Sequence, residues 1–350
     1  MKKNVRISAV DLFCGAGGLT HGLRSAGVDV AAGIDIDPVC KFPYETNNKA
    51  PFLRRDITTV KVRELKALFA PGSIRLLAGC APCQPFSSHS RGRDTSEDPK
   101  WALLDEFSRL VKGVRPELVT MENVVRVRNH SVFQDFVATL EGLGYSVSVQ
   151  SVLCAAYGVP QERRRLVLLA SKLGQIDLLP STHAKHEHTT VRDVLWPLPA
   201  LSAGDTDADD PLHKARKLTP INLARMRHSV PGGTWKDWPD ELRSACHTKE
   251  SGSTFRSVYA RMSWDRPAPT ITTQSFNFGT GRFGHPEQDR TITLREAAIL
   301  QSFPAKYKFT EKGQEVNFSS IGRLIGNAVP PKLGQIIGKS FLEHCRDHLK

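Results

Sequence analysis

The 350 residues are 40% apolar and 24% charged, the balance of a folded protein with one large core or two smaller ones. Apolar stretches such as Leu166–Ala170 are too short to cross a bilayer and Met1–Ser8 lacks the apolar run of a signal peptide, so a cytoplasmic protein with no membrane partner is expected. A net charge of +12 and a pI near 9.5 favour a polyanionic partner, because lysines and arginines that neutralise phosphates release counterions.

Val5–Leu12 reads as a short buried strand running into the glycine turn Gly15-Ala16-Gly17-Gly18 and then a helix that Gly27 stops. A second apolar strand, Val28–Ile36, precedes a helical stretch near Val39–Asn47. Strand Ile74–Gly79, helix Leu103–Lys112, strand Leu118–Met121, helix Val132–Leu143 ended by Gly144, and strands Ser146–Leu153 and Leu166–Ala170 continue the alternation. This pattern predicts an α/β domain over residues 1–180, its largely parallel sheet covered by helices on both faces.

Beyond about Pro180 prolines and short broken segments dominate, and Gly204–Asp210 is an acidic loop. Four of the five tryptophans (196, 235, 238, 264) fall between Ser181 and Arg290, where 15 Lys and Arg face 13 Asp and Glu. The basic excess therefore lies elsewhere, and residues 181–321 read as a second, less regular domain. Thr293-Leu294-Arg295-Glu296 has the capping-box pattern that opens a helix. Pro330-Pro331 opens the last helix, whose stripe Leu333, Ile336, Ile337 and Phe341 suits a return of residues 322–350 to the first domain. The seven cysteines (14, 40, 80, 83, 154, 246, 345) are odd in number and lack a framework spacing, which suits a reducing compartment.

Chemistry concentrates in four places. Asp11-Leu-Phe-Cys-Gly-Ala-Gly-Gly18 is a turn that lets backbone approach a nucleotide-like ligand, and Asp35, at the end of the next strand, is placed to bind ribose hydroxyls. Threonine at position 20 removes the third glycine of a dinucleotide fingerprint and counts against NAD. Gly79-Cys80-Ala-Pro-Cys83-Gln-Pro-Phe-Ser87 puts a thiol at the carboxyl end of a strand. A redox pair or half a zinc site would use both cysteines, but no second pair accompanies them; His183, His186 and His188 read as a solvated loop, and no metal is expected. Thr120-Met-Glu122-Asn-Val124 ends another strand with a carboxylate, and Gln161-Glu-Arg163-Arg-Arg165 offers either a solvated basic run or a phosphate or base clamp.

Taken in order with a late Gly326-Asn-Ala-Val-Pro330, these blocks resemble the cytosine-5 DNA methyltransferases over nearly the whole chain. The resemblance implies a Rossmann-like S-adenosylmethionine-dependent methyltransferase domain and a smaller, irregular target-recognition domain. It sets Asp11, Phe13, Gly15, Gly17, Asp35 and Asp56 along the S-adenosylmethionine site, and groups with them Asn327, the match to a late structural asparagine. Cys83 matches the family nucleophile, Glu122 the residue that contacts the base, and Arg163 and Arg165 its helpers. Gln84, Ser87, Arg91, Arg93, Gln161, Thr270, Thr272, Thr273 and Gln274 are the DNA contacts it implies. Ser87–Pro99 reads as a mobile loop closing on DNA, and Ser181–Arg282 takes the place of the variable target-recognition region. Cys80 and Arg164 match no family role. The implied partner is double-stranded DNA in the bacterial nucleoid, with a restriction endonuclease of the same site where the enzyme is not solitary.

The implied chemistry explains the residue types. Carbon 5 of cytosine is a poor nucleophile until a thiolate adds at carbon 6, and cysteine is strongly nucleophilic and partly ionised near neutral pH. A carboxyl group at ring nitrogen 3 stabilises the adduct, and arginines orient that acid. The target atom is buried inside a duplex, so the base must flip out. Three other functions compete. The tRNA-directed relatives carry a Cys-Phe-Thr element, where this chain has Ala245-Cys246-His247. A silent DNA-binding protein needs neither Cys83 nor Glu122, and a small-molecule Rossmann enzyme needs no second domain of this length.

Overall fold

The computed structural model describes residues 5–82, 102–249 and 258–349. Within them the strands are β1 (Ile7–Leu12), β2 (Asp29–Asp35), β3 (Phe52–Arg54), β4 (Ile74–Gly79), β5 (Leu118–Asn123), β6 (Ser146–Leu153), β7 (Gln161–Glu162), β8 (Arg164–Ser171) and β9 (Ala268–Pro269). Seven of them form one sheet in the order β3-β2-β1-β4-β5-β8-β6. Neighbours from β3 to β5 pair in parallel, whereas β8 runs antiparallel to both β5 and β6. The sheet is thus largely parallel, as the strand–helix alternation predicts, with one reversed strand. That reversal matters for the site: Asn123 pairs with Leu166, so Arg165 stands just past the carboxyl end of β5.

Helices α1 (Gly18–Ala26), α2 (Lys41–Asn48), α3 (Val62–Leu68), α4 (Ala102–Val114) and α5 (Ser131–Gly142) cover this sheet. Leu104, Phe107, Leu110, Val111 and Val114 recur at helical spacing on α4 and are all buried, in one core with Leu77, Val119, Met121 and Leu168 of the strands. Phe136 of α5 meets Phe107 with ring centroids 5.2 Å apart. Each such side chain contributes about 1.5–3 kcal/mol through burial. The C-terminal helix Pro331–His348 docks on α1, and its stripe Leu333, Ile336, Ile337 and Phe341 is buried. Gly22 permits the approach, since a Cβ there would stand 2.3 Å from the Pro331 carbonyl oxygen.

The chain divides into two compact units. The first comprises Met1–Tyr157, Arg164–Thr182 and Ala328–Lys350, and the second Gly158–Arg163 and His183–Asn327. The sequence reading put the boundaries at 180 and 321; here Gly158–Arg163 joins the second unit because β7 pairs with β9, and the helix Phe318–Asn327 stays whole within it. The second unit holds short helices around a small core of Met226, Trp235, Trp238 and Phe278. Its capping box forms as read: Thr293 Oγ1 accepts from Glu296 N at 3.1 Å, and Glu296 Oε2 accepts from Thr293 N at 2.7 Å. Among the described residues, no helix is long and apolar enough to cross a membrane.

Candidate active site

Two constellations occupy the carboxyl edge of the sheet in the first unit, the edge where ligands of wound α/β sheets bind. One is the turn after β1. Phe13, Gly15 and Gly17 have φ of 57°, 53° and 88°, a left-handed path that glycine follows without strain. Gly15 N donates to Asp35 Oδ2 at 2.9 Å and Asp37 N donates to Asp35 Oδ1 at 3.0 Å, so backbone holds both carboxylate oxygens at the end of β2. Burial pushes the Asp35 carboxyl up, and those hydrogen bonds pull it part of the way back. Among the described residues, a Cβ on Gly15 would meet no atom within 4 Å, so none of them blocks the approach to the turn. Beside it Ile36 is 60% exposed, an apolar face that the sequence reading passed over because it looked like the last residue of a strand. Asp56 is exposed and accepts from Thr58 N at 3.0 Å and from Thr58 Oγ1 at 2.8 Å.

Asp11 requires a correction. Expected along the cofactor site, it is 1% exposed and accepts a hydrogen bond from Thr20 Oγ1 at 2.7 Å, which in turn meets the Tyr44 hydroxyl at 3.0 Å. Every residue of β1 is buried, so Asp11 props the turn from inside the fold. Burial pushes its carboxyl up to about 7.

The second constellation joins β4, β5 and β8. Glu122, on β5, is 3% exposed. Arg165 Nε lies 3.0 Å from its Oε1, and the Cys80 thiol donates to its Oε2 at 3.0 Å. Asn123 Nδ2 donates to the Ala81 carbonyl at 3.2 Å, tying the segment after β4 to the end of β5 a second time. That segment continues toward Cys83, which lies outside the described residues together with Gln84, Ser87, Arg91, Arg93 and the loop Ser87–Pro99. Cys80 is the residue that motif reading missed. Its signal is the register of Gly79 with Met121, which sets the residues after β4 level with Glu122 and Asn123.

The second unit receives the remaining expected residues. Gln161, read as a DNA contact, is wholly buried: its amide donates to the Leu300 carbonyl at 3.0 Å and to Gln301 Oε1 at 2.6 Å, and its Oε1 accepts from Ile271 N at 2.8 Å. Arg163, read as a catalytic helper, is 2% exposed and donates from Nη1 to the Ile271 carbonyl and from Nη2 to the Gly326 carbonyl, both at 3.1 Å. Both corrections have one cause. Alternate residues of an extended segment face the same way, and Gln161 and Arg163 face inward, clamping backbone. Thr270 Oγ1 donates to the Glu162 carbonyl at 2.8 Å, and Thr272 Oγ1 accepts from Gln274 N at 3.4 Å. Thr273 is half-buried; Gln274, also half-buried, lines an open groove with Lys214, Arg216, Lys217 and Phe276. Asn327 is exposed at the end of its helix.

Comparison with known proteins adds the chemistry's name. A family model for C-5 cytosine-specific DNA methylases matches residues 7–343. The Type II methylase M.HgiDII of Herpetosiphon aurantiacus is 52% identical over 342 residues, an alignment covering 96% of either chain. The Type II methyltransferase M1.HphI of Haemophilus parahaemolyticus is 32% identical, with 96% of this chain and 87% of that one aligned. Among solved structures, a DNA modification methyltransferase encoded within an E. coli prophage superposes with a TM-score of 0.74 at 22% identity, over 96% of this chain and 99% of that one. The S. pombe Dnmt2 methyltransferase superposes at 0.67 and 17% identity, over 99% of this chain and all of that one. At those identities the structures speak for the fold.

Proposed function

The chain belongs to the C-5 cytosine-specific DNA methylase family, and from that premise we propose how its own residues carry the reaction. It is a DNA (cytosine-5-)-methyltransferase. One observation supports the assignment of roles above all: a 3%-exposed Glu122, held on one oxygen by Arg165 and on the other by Cys80, three residues in sequence before Cys83.

The turn after β1 fits a nucleoside cofactor. Asp35 is anchored by backbone N–H groups and keeps lone pairs for two ribose hydroxyls, Ile36 offers an apolar face to a purine, and Gly15 leaves room for close approach. We assign this site to S-adenosylmethionine, with Phe13, Gly15, Gly17, Asp35, Ile36 and Asp56 holding it. When bound, it supplies the electrophilic methyl group that carbon 5 of the activated ring accepts. Asp11 keeps the turn in shape from below.

The substrate is a cytosine flipped out of double-stranded DNA. The Cys83 thiolate adds to carbon 6, forming a carbon–sulfur bond and moving an electron pair into the ring. Glu122 holds a proton at nitrogen 3, where that charge would otherwise collect, and Arg165 keeps the acid oriented. After methylation carbon 5 loses its proton to solvent, the carbon–sulfur bond breaks, and Cys83 leaves as thiolate. The second unit reads the site sequence, the protein works in the cytoplasm, and a restriction endonuclease cutting the same site is its partner, in keeping with the Type II names of its relatives.

Expression in cells that lack cytosine methylation, followed by genome-wide mapping of 5-methylcytosine, tests the reading. One short sequence context should carry the mark, and Cys83→Ser should abolish it while DNA binding persists. Incubation with DNA bearing 5-fluorocytosine should leave a denaturation-resistant adduct mapping to Cys83. Methylation of tRNA in place of DNA, or an adduct at another residue, would overturn it.

A further inference from the structure

We propose that Cys80 is a positioning residue for Glu122. The proposal rests on the reading of Glu122 as the acid at the cytosine ring, and it concerns a cysteine that matches no family role.

Glu122 is buried, and a buried carboxyl group with two rotatable bonds above it keeps one orientation only where its oxygens are held. Arg165 pairs with Oε1 by charge, its Nε 3.0 Å away, but among the described residues Oε1 accepts no hydrogen bond, so the ion pair by itself leaves the carboxyl free to rotate. The Cys80 thiol reaches Oε2 from the opposite neighbour of β5, at 3.0 Å and within the range of a sulfur hydrogen bond. The ion pair from one side and the thiol hydrogen bond from the other thus hold the carboxyl between them, and the hydrogen bond from Cys80 is the one that sets its plane. The contact also works along the chain. Cys80 bonds to the side chain of Glu122 while Asn123 bonds to the backbone of Ala81, so two ties of opposite sense clamp the segment that leads to Cys83 onto the strand that carries the acid. A weak thiol donor suits the task, since the carboxyl oxygen must be released when a flipped base arrives. Cys80 thereby ties the residues just before Cys83 to the acid, acting through Glu122.

The test compares Cys80→Ala, Cys80→Ser and Glu122→Gln in steady-state DNA methylation, with thermal melting of each protein. Cys80→Ala should lower kcat about ten- to a hundredfold, the scale of a slight misplacement at a reacting centre, with KM for DNA within about twofold. Cys80→Ser restores a hydroxyl donor and should recover kcat to within about threefold of wild type at an unchanged melting temperature. Wild-type kcat in Cys80→Ala alongside an inactive Glu122→Gln would overturn the positioning role and leave the role of Glu122 intact. Equal loss in Cys80→Ala and Cys80→Ser would overturn it in favour of simple packing by sulfur. Full activity in Glu122→Gln would instead remove the reading on which the proposal stands.

Discussion

Arg165 reaches Glu122 through Nε, 3.0 Å from Oε1, and does so because β8 alone runs against its neighbours. In an all-parallel sheet the start of that strand would lie at the far edge, a strand's length from the acid. Removing one partner of a buried pair costs about 3–5 kcal/mol, since the other charge stays buried. Arg165→Met should therefore both lower the melting temperature and reduce kcat by about a hundredfold or more. Arg165→Lys should recover little, because a compact, strongly hydrated ammonium on a flexible stem replaces a planar guanidinium that tolerates burial beside the acid. A normal single-turnover rate in Arg165→Met would show that the acid needs no such partner.

Asp35 offers a second test, at the other constellation. A ligand that binds only the folded state raises stability by RT ln(1 + [L]/Kd), about 2.7 kcal/mol at a hundredfold excess over Kd. S-adenosylmethionine or its demethylated product should raise the melting temperature of the wild type, and NAD should not. Asp35→Ala removes the carboxylate that receives Gly15 N and Asp37 N, so it should lose most of that ligand-induced rise. An undiminished rise would place the ribose contacts on other residues.

The larger elements were legible because they carry long periodic or apolar signals. Ile74–Gly79 and Ser146–Leu153 were read residue for residue, and the stripe on the last helix is buried as expected. The strand Phe52–Arg54 and the helix Val62–Leu68 were missed, each having a single fully buried residue, Phe52 and Leu65, and so no period to detect. Glu122 and Arg165 stand in motifs, whereas the contact of Cys80 with Glu122 follows only from the strand order. Which strands are neighbours is a non-local fact that no window of sequence contains. Gln161 and Arg163 show the opposite failure. Their motif marks a place, yet polar side chains at a marked place satisfy backbone as readily as substrate.

Acid should weaken the second unit through a buried pair. Arg290 donates from Nη1 and Nη2 to the two oxygens of Glu296, each at 2.8 Å, with both residues about fully buried. Burial pushes the Glu296 carboxyl up, but the charge and hydrogen bonds of Arg290 outweigh it and hold the group down at about 2, against an ordinary 4.5. A depressed carboxyl contributes stability above its unfolded pKa and loses it as pH falls toward the folded one. Stability relative to Glu296→Gln should thus be greatest at neutral pH and should vanish between about pH 4.5 and 2. Arg290→Met should cost about 3–5 kcal/mol at pH 7 and far less near pH 2. Chemical denaturation across that range reads both effects, and a pH-independent difference would mean that packing, not charge, dominates the site.

Sequence readout gives the sharpest contrast, because two glutamines expected at the DNA have unlike surroundings. Gln161 has its amide and carbonyl satisfied inside the second unit, by Leu300, Gln301 and Ile271. Gln274 stands at an open groove whose other walls include Lys214, Arg216 and Lys217. Base edges are read by amide and hydroxyl groups, whereas cations on phosphates set affinity without reading sequence. Gln274→Ala should therefore relax the preference at a single base pair by about 1–3 kcal/mol. Replacing Lys214, Arg216 and Lys217 by alanine should weaken binding to every sequence alike and flatten its dependence on salt. Gln161→Ala should do neither. It strands buried partners at about 1–3 kcal/mol each, so it should lower the melting temperature while the methylated sequence stays the same. Profiling methylated sites across the three variants separates these outcomes. A changed target sequence in Gln161→Ala, with an unchanged one in Gln274→Ala, would overturn the assignment of readout to the groove at Gln274.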